Sequence, residues 1–372
     1  MMRVILMVLG LFIVSIVVLT LSDASDSTRY DTPGFDESTY TDVINLKHRG
    51  KSMEGSLRLD QESGSCYAFS YSDMLEAFFR ISGMIEKDVH IDPFNFAFQY
   101  EAMQEECYGK ECNFEINGGS LRNLLYYTIM DEWHNDLSEY GLDEFKVCLR
   151  SGSPSILFQD GRESSTHYQV LSDLVDELLL LGEQSKVSER ELRRCRKYVQ
   201  KIFGALYYEE LTYDFLKFAQ GNVSPNLLAI YILDKTCDQY IDIVHLSQHF
   251  KALEFRDHGD VNLLKRKITT ILSDPYAVPI SIHYVPYKLG KLGVYEDFKF
   301  MPIEEYQNSS IQHAVLIIGE MSKDNMDYYL IRNSVGHADY LISKNELLAV
   351  TGHIHYFEFD AHTESDHWAK SK

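Results

Sequence analysis

The sequence predicts an α+β fold with two lobes. Three observations carry that reading. Cys66 heads an apolar segment with helical periodicity, strand-like runs gather after about residue 261, and a charge-rich helical block at 149–260 separates the two regions.

The chain has 372 residues, 45% hydrophobic and 24% charged, which is enough apolar material for a packed core. Its formal net charge is −21. That disfavours nucleic acid and anionic lipid as general partners and suits basic peptides or plain solvation.

Residues 1–24 read as a targeting segment. Arg3 gives the positive flank, and Val4 to Leu21 is apolar apart from Gly10, Ser15 and Thr20. Ser22-Asp23-Ala24 offers a cut after Ala24, so the segment is a signal peptide or, if uncleaved, a signal anchor and the chain's membrane attachment. Either way the rest of the chain is exported, and its six cysteines can form disulfides. Spacing does not fix their pairing. Cys195 and Cys237, both in the helical block, are expected from position alone to join its helices.

Residues 25–44 form a polar lead-in. Residues 45–148 form the helical lobe. In it, Ala68, Phe69, Met74, Leu75, Phe78 and Phe79 give a buried helix from Cys66 to Ile81, capped by Ser63 or Ser65 and ended by Gly83. Phe94 to Glu106 and Leu121 to Trp133 read as further helices. In the 149–260 block, Val170 to Leu181, Glu189 to Tyr208 and Leu227 to Phe250 read as helical. Residues 261–360 form the β-rich lobe, with strands at Val278 to Tyr284, Ala314 to Ile318, Tyr328 to Arg332 and His355 to Phe359, and 361–372 is a polar tail.

The chemistry centres on Cys66. A thiol is a useful nucleophile only as thiolate, and a helix N-terminus beside an imidazolium lowers its pKa. His313 opens one strand and Asn333 closes the next. A hairpin centred on Lys323 sets these two face to face, so that Asn333 holds the imidazole in orientation.

The motifs resemble the papain and cathepsin family of cysteine proteases. Gly64-Ser65-Cys66-Tyr67-Ala68-Phe69 is similar to its nucleophile motif, with Tyr67 in place of Trp. His313-Ala314-Val315, Asn333-Ser334-Val335-Gly336, Asn117-Gly118-Gly119 and Pro279-Ile280-Ser281-Ile282 resemble four further family motifs, in the family's order. The resemblance implies a papain-like two-lobe fold with the active site in the cleft between. It implies peptide-bond hydrolysis by Cys66, His313 and Asn333, with no metal or organic cofactor and a peptide or protein substrate. Gln61 and the Cys66 N–H would form the oxyanion hole, and Asn117, Gly118 and Gly119 would bind extended substrate.

The chain also departs from the family. Gln61 lies five residues before Cys66, one fewer than usual, and Val335 replaces a Trp. Ser63 and Ile116 stand where the family has a bridged cysteine pair. His313 follows Cys66 by 247 positions against roughly 130–150 in the family, an excess that matches the 149–260 block read as an insertion. These departures keep two rivals open: a papain-like peptide-binding module without turnover, and a Cys-His acyl-transfer or amidase enzyme.

Other features carry less. His353 and His355 share a strand face read as solvated. Asn222-Val223-Ser224 and Asn308-Ser309-Ser310 are glycosylation sequons.

Overall fold

The computed structural model describes residues 37–49, 51–57, 59, 65–104, 114, 116, 119, 124, 146–159, 162–204, 208–242, 249–254, 261–284, 286–288, 299–300, 313–334, 339–349 and 351–358. The N-terminal segment, Gln61, Ser63, Asn117, Gly118, the 121–133 helix apart from Leu124, Val335, the Asn308 sequon and the C-terminal tail lie outside these residues.

Helices and an antiparallel sheet make up the molecule, as an α+β reading requires. In chain order come β1 (Thr41–Asn45), α1 (Leu46–Arg49), α2 (Cys66–Ile81), β2 (Val89–Ile91), α3 (Pro93–Gln104) and β3 (Lys146–Ser151). A short hairpin, β4 (Phe158–Gln159) and β5 (Arg162–Glu163), precedes α4 (Ser165–Gly182), α5 (Glu189–Phe203), α6 (Tyr208–Ala219) and α7 (Pro225–Asp234). Then follow β6 (Gln239–Asp242), β7 (Phe250–Glu254), α8 (Val261–Ser273), β8 (Ile280–Tyr284), β9 (Pro286–Lys288), β10 (Lys299–Phe300), β11 (His313–Lys323), β12 (Met326–Arg332), β13 (Tyr340–Ser343), α9 (Lys344–Ala349) and β14 (Thr351–Phe357).

Helix α2 is apolar on nearly every side, and it is buried accordingly from Tyr67 to Arg80 except at Asp73. It packs against β11, β8 and β14 and against α3. Ser65 precedes it but makes no side-chain cap bond, unlike the cap the sequence suggests. The helix stops as expected: Gly83 takes φ +73°, and Gly83 N–H donates to Arg80 O.

The main sheet runs β13-β12-β11-β8-β14-β7, all antiparallel, with β1 added along the far half of β11. Gly319 is required where β1 crosses, because a Cβ there would lie 2.1 Å from Ile44 O. The β11–β12 hairpin corrects the expected register. Its turn is Asp324-Asn325, both in the left-handed region (φ 53° and 64°), and Lys323 pairs with Met326. The pairing then shifts by one residue between Ile317 and Gly319, so that Leu316 faces Arg332. His313 and Asn333 are therefore not directly opposed.

The helical block leaves through β3 and returns through β6, which pair from Lys146↔Asp242 to Leu149↔Gln239. A Cys148–Cys237 disulfide closes this neck. Cys237 thus pairs outside the helices rather than with Cys195, which is a free thiol buried within α5. Asn95 Nδ2 donates to Asp234 Oδ1 at 3.1 Å and ties α7 to α3.

Three element predictions need correction. The helix begun at Glu189 ends at Phe203, because Gly204 takes φ +78°. The helix expected to run from Leu227 to Phe250 ends at Asp234, since the chain beyond is drawn into pairing with β3. The region expected to turn to strands after about residue 261 opens instead with helix α8, whose Leu264, Ile268 and Leu272 are buried on one face. His355 is also buried rather than solvated. Among the described residues no helix is long and apolar enough to cross a membrane.

Candidate active site

Cys66 is the first residue of α2, where the unpaired N–H groups of the first turn concentrate positive potential. Its side chain is half-buried. His313 is the first residue of β11 and pairs with Tyr284 of β8, so its backbone is fixed from one side. Asn333 follows directly on β12 and is buried.

The three side chains come together. His313 Nε2 lies 2.6 Å from Asn333 Oδ1, with the ring nitrogen as donor when the amide is oriented oxygen-inward. The His313 side chain also hydrogen-bonds the Cys66 sulfur. With Nε2 committed to Asn333, Nδ1 is the nitrogen left for the thiol. The side chains of positions 313 and 333 span the register offset diagonally, a reach long polar side chains can cover.

The electrostatics of the pair are opposed. Burial pushes the Cys66 thiol up, but the His313 hydrogen bond and charge, aided by backbone bonds from Ala314 and Tyr67, bring it below its ordinary value. Burial pushes His313 down, and the Cys66 contact with the Asn333 bond carries it above its ordinary value. Both directions favour thiolate beside imidazolium. The free thiol of Cys195 shows the contrast. Burial without a cationic neighbour of comparable strength pushes it up to about 12.

Of Asn117, Gly118 and Gly119, which the sequence suggested as substrate-binding, Gly119 is described, and it is exposed. A Cβ there would lie 2.5 Å from Tyr67 Cζ and 2.8 Å from a Tyr100 ring carbon, so glycine alone fits against this aromatic pair. The Tyr67 and Tyr100 rings lie 5.0 Å apart between centroids, tilted at 58° to each other. Tyr67, the residue after Cys66, thus packs directly against Gly119.

A charged network underlies the site and was not singled out from the sequence. Arg332, buried and adjacent to Asn333, donates from Nη1 to Ser56 Oγ at 2.7 Å and pairs with Asp339 at 3.4 Å. Lys47 reaches the same Asp339 at 3.4 Å. Asp73, two turns along α2 from Cys66, is pushed by burial up to about 7, against the pull of Arg332. One turn further, Glu76 takes an ion pair from Arg80, a bond from His90 Nδ1 at 3.1 Å and the Ile91 N–H at 3.0 Å. The available signal was Asp73 at position i+7 from Cys66, on the same helical face.

Among the described residues no group of three or more His, Cys, Asp or Glu side chains is placed to hold a metal ion.

No family model and no curated protein matches the chain. Solved structures similar to it include the digestive procathepsin L 3 of the Tenebrio molitor larval midgut, at 12% identity over 89% of this chain and 73% of that one, with a TM-score of 0.40. Procathepsin B S9 from Trypanosoma congolense is 10% identical over 90% and 84%, with a TM-score of 0.39. SERA5E from Plasmodium falciparum is 13% identical over 87% and 98%, with a TM-score of 0.41. At these values the likeness carries no functional weight, which falls instead on the side-chain geometry.

Proposed function

We propose that the chain is a cysteine-type peptidase with a papain-like arrangement of two lobes around Cys66, His313 and Asn333. The observation that carries the reading is the chain of contacts from the Cys66 sulfur through the His313 imidazole to Asn333, with the thiol held acidic and the imidazole held basic.

The Cys66 thiolate attacks the scissile carbonyl carbon and forms a tetrahedral oxyanion. The Cys66 N–H and the Gln61 side-chain amide donate to that oxygen. Protonated His313 gives its proton to the leaving amine as the C–N bond breaks, leaving a thioester on Cys66. Water, giving a proton to neutral His313, then attacks the thioester, and the tetrahedral species collapses to the acid and the Cys66 thiolate beside protonated His313. Asn333 keeps the imidazole plane aimed at sulfur through both halves. Asn117, Gly118 and Gly119 bind the substrate backbone. The Cys148–Cys237 disulfide supports a non-cytoplasmic location for the chain, which residues 1–24 direct as signal or anchor.

Incubation with a mixed-sequence peptide library, followed by mass analysis of the products, tests this. Backbone cleavage by the wild type, abolished in Cys66→Ala, is the expected result. Peptide retention without cleavage, or release of ammonia from side-chain amides, contradicts it.

A further inference from the structure

Helix α5 runs against the charge of the whole protein. The chain carries 35 Lys and Arg against 56 Asp and Glu, yet the 15 residues of α5 hold Arg190, Arg193, Arg194, Arg196, Lys197 and Lys201 with only Glu189 and Glu191. At 3.6 residues per turn, Arg190, Arg193, Arg194, Lys197 and Lys201 fall within an arc of about 100° along about 16 Å of axis. All five are exposed, and the opposite face buries Leu192, Cys195 and Val199.

The acids around this face are already engaged. Glu177 of α4 pairs with Arg194 at 2.9 Å, Glu189 pairs with Arg196 off the stripe, and Glu191 closes the N-terminal capping box with Ser188. Lys201 lies over the Tyr198 ring. Among the described residues, Arg190, Arg193, Lys197 and Lys201 take part in no ion pair.

We propose that this face of α5 binds a sulfated linear polysaccharide. The stripe is one helix wide, which suits a linear polyanion. A flat anionic membrane would bring the rest of a −21 chain against like charge. Within the arc of the five cations α5 carries no apolar side chain, and the neighbouring Tyr198 ring is covered by Lys201, so the desolvated centre of a folded-protein interface is missing. The neck disulfide places the chain in an oxidising compartment, where nucleic acid is not the prevailing polyanion. Three of the five cations are arginines, whose planar forks match sulfate oxygens in pairs. Because the site lies on the helical block, it stands whether or not Cys66 is catalytic, and it would tether the protein to a sulfated matrix.

Calorimetric titration of the full chain with a size-defined heparin oligosaccharide tests the proposal. The wild type and Cys66→Ala bind alike, and affinity falls with added salt. Arg193→Gln, Lys197→Gln and Lys201→Gln together weaken binding about tenfold or more with an unchanged melting temperature. Should the triple variant melt early, Lys197→Glu alone is expected to weaken binding in a folded protein. Absence of heparin binding at low salt overturns the proposal, as does equal binding by the folded variants. Binding of polyglutamate, or of phosphatidylserine vesicles, at least as strong and through the same residues also overturns it.

Discussion

His313 Nε2 sits 2.6 Å from Asn333 Oδ1, although the β11–β12 ladder does not pair these two positions. The contact therefore depends on side-chain reach rather than on the ladder. Asn333→Ala removes the amide that bonds Nε2 and loosens the ring's orientation. We expect kcat/KM to fall about tenfold or more with KM little changed, measured on a cleaved peptide.

The opposed shifts of Cys66 and His313 define a pH window. Thiolate is present above the lowered Cys66 pKa and imidazolium below the raised His313 pKa. Iodoacetamide alkylation of Cys66 should therefore rise at a pH below the free-thiol range and change again above the free-imidazole range. The pair's contribution to stability is lost as pH falls through the Cys66 value and as it rises through the His313 value. In His313→Ala, burial acts on the thiol without its main opponent, and the alkylation curve should move to higher pH.

Arg332 and Asp73 respond in opposite ways. Arg332→Met removes one cation from Asp339 and strips Ser56 of the Arg332 donor, so unfolding in urea should show a loss of about 3 kcal/mol. Asp73 carries a folded-state pKa of about 7, raised from its ordinary value, so the fold disfavours its ionised form. Asp73→Asn should raise the melting temperature at pH 8, and the gain should vanish below about pH 4, where Asp73 is protonated folded and unfolded.

Tyr67 and Gly119 make a third pair. Among the described residues the buried Tyr67 hydroxyl has no hydrogen-bond partner, so Tyr67→Phe should be neutral or stabilising by about 1 kcal/mol in thermal melts. Gly119→Ala drives a methyl group into the Tyr67 ring. That should slow Cys66 labelling, because the displaced ring belongs to the residue next to the nucleophile.

Local sequence signals located the parts of this fold that local physics decides. The run from Ala68 to Phe79 is apolar enough to demand a buried helix, and Gly83 supplies its stop. The helices at Glu189 and Pro225 begin near where apolar periodicity starts them, held there by the Ser188-Glu191 capping box and the Ser224 cap, though both end earlier than the pattern suggests. What the sequence hid was set by partners distant along the chain. Leu227 to Asp234 reads as the start of a longer helix, but pairing with β3 and the bond to Cys148 end it. The β11–β12 register turned on a two-residue Asp324-Asn325 turn and a one-residue shift, neither visible from apolar alternation. At the site, Cys66, His313 and Asn333 were legible from motif order, whereas Arg332 gained meaning only once Ser56 and Asp339 stood beside it.

The central claim is that Cys66 is an assembled, activated thiolate. Labelling of the folded protein with an epoxysuccinyl thiol probe, followed by peptide mapping, tests it most directly. The account predicts an adduct on Cys66 that is lost in Cys66→Ala and in denatured protein, with Cys195 unmodified in the folded state. Failure of the folded protein to label at Cys66, before and after limited proteolysis of the helical block, would contradict it.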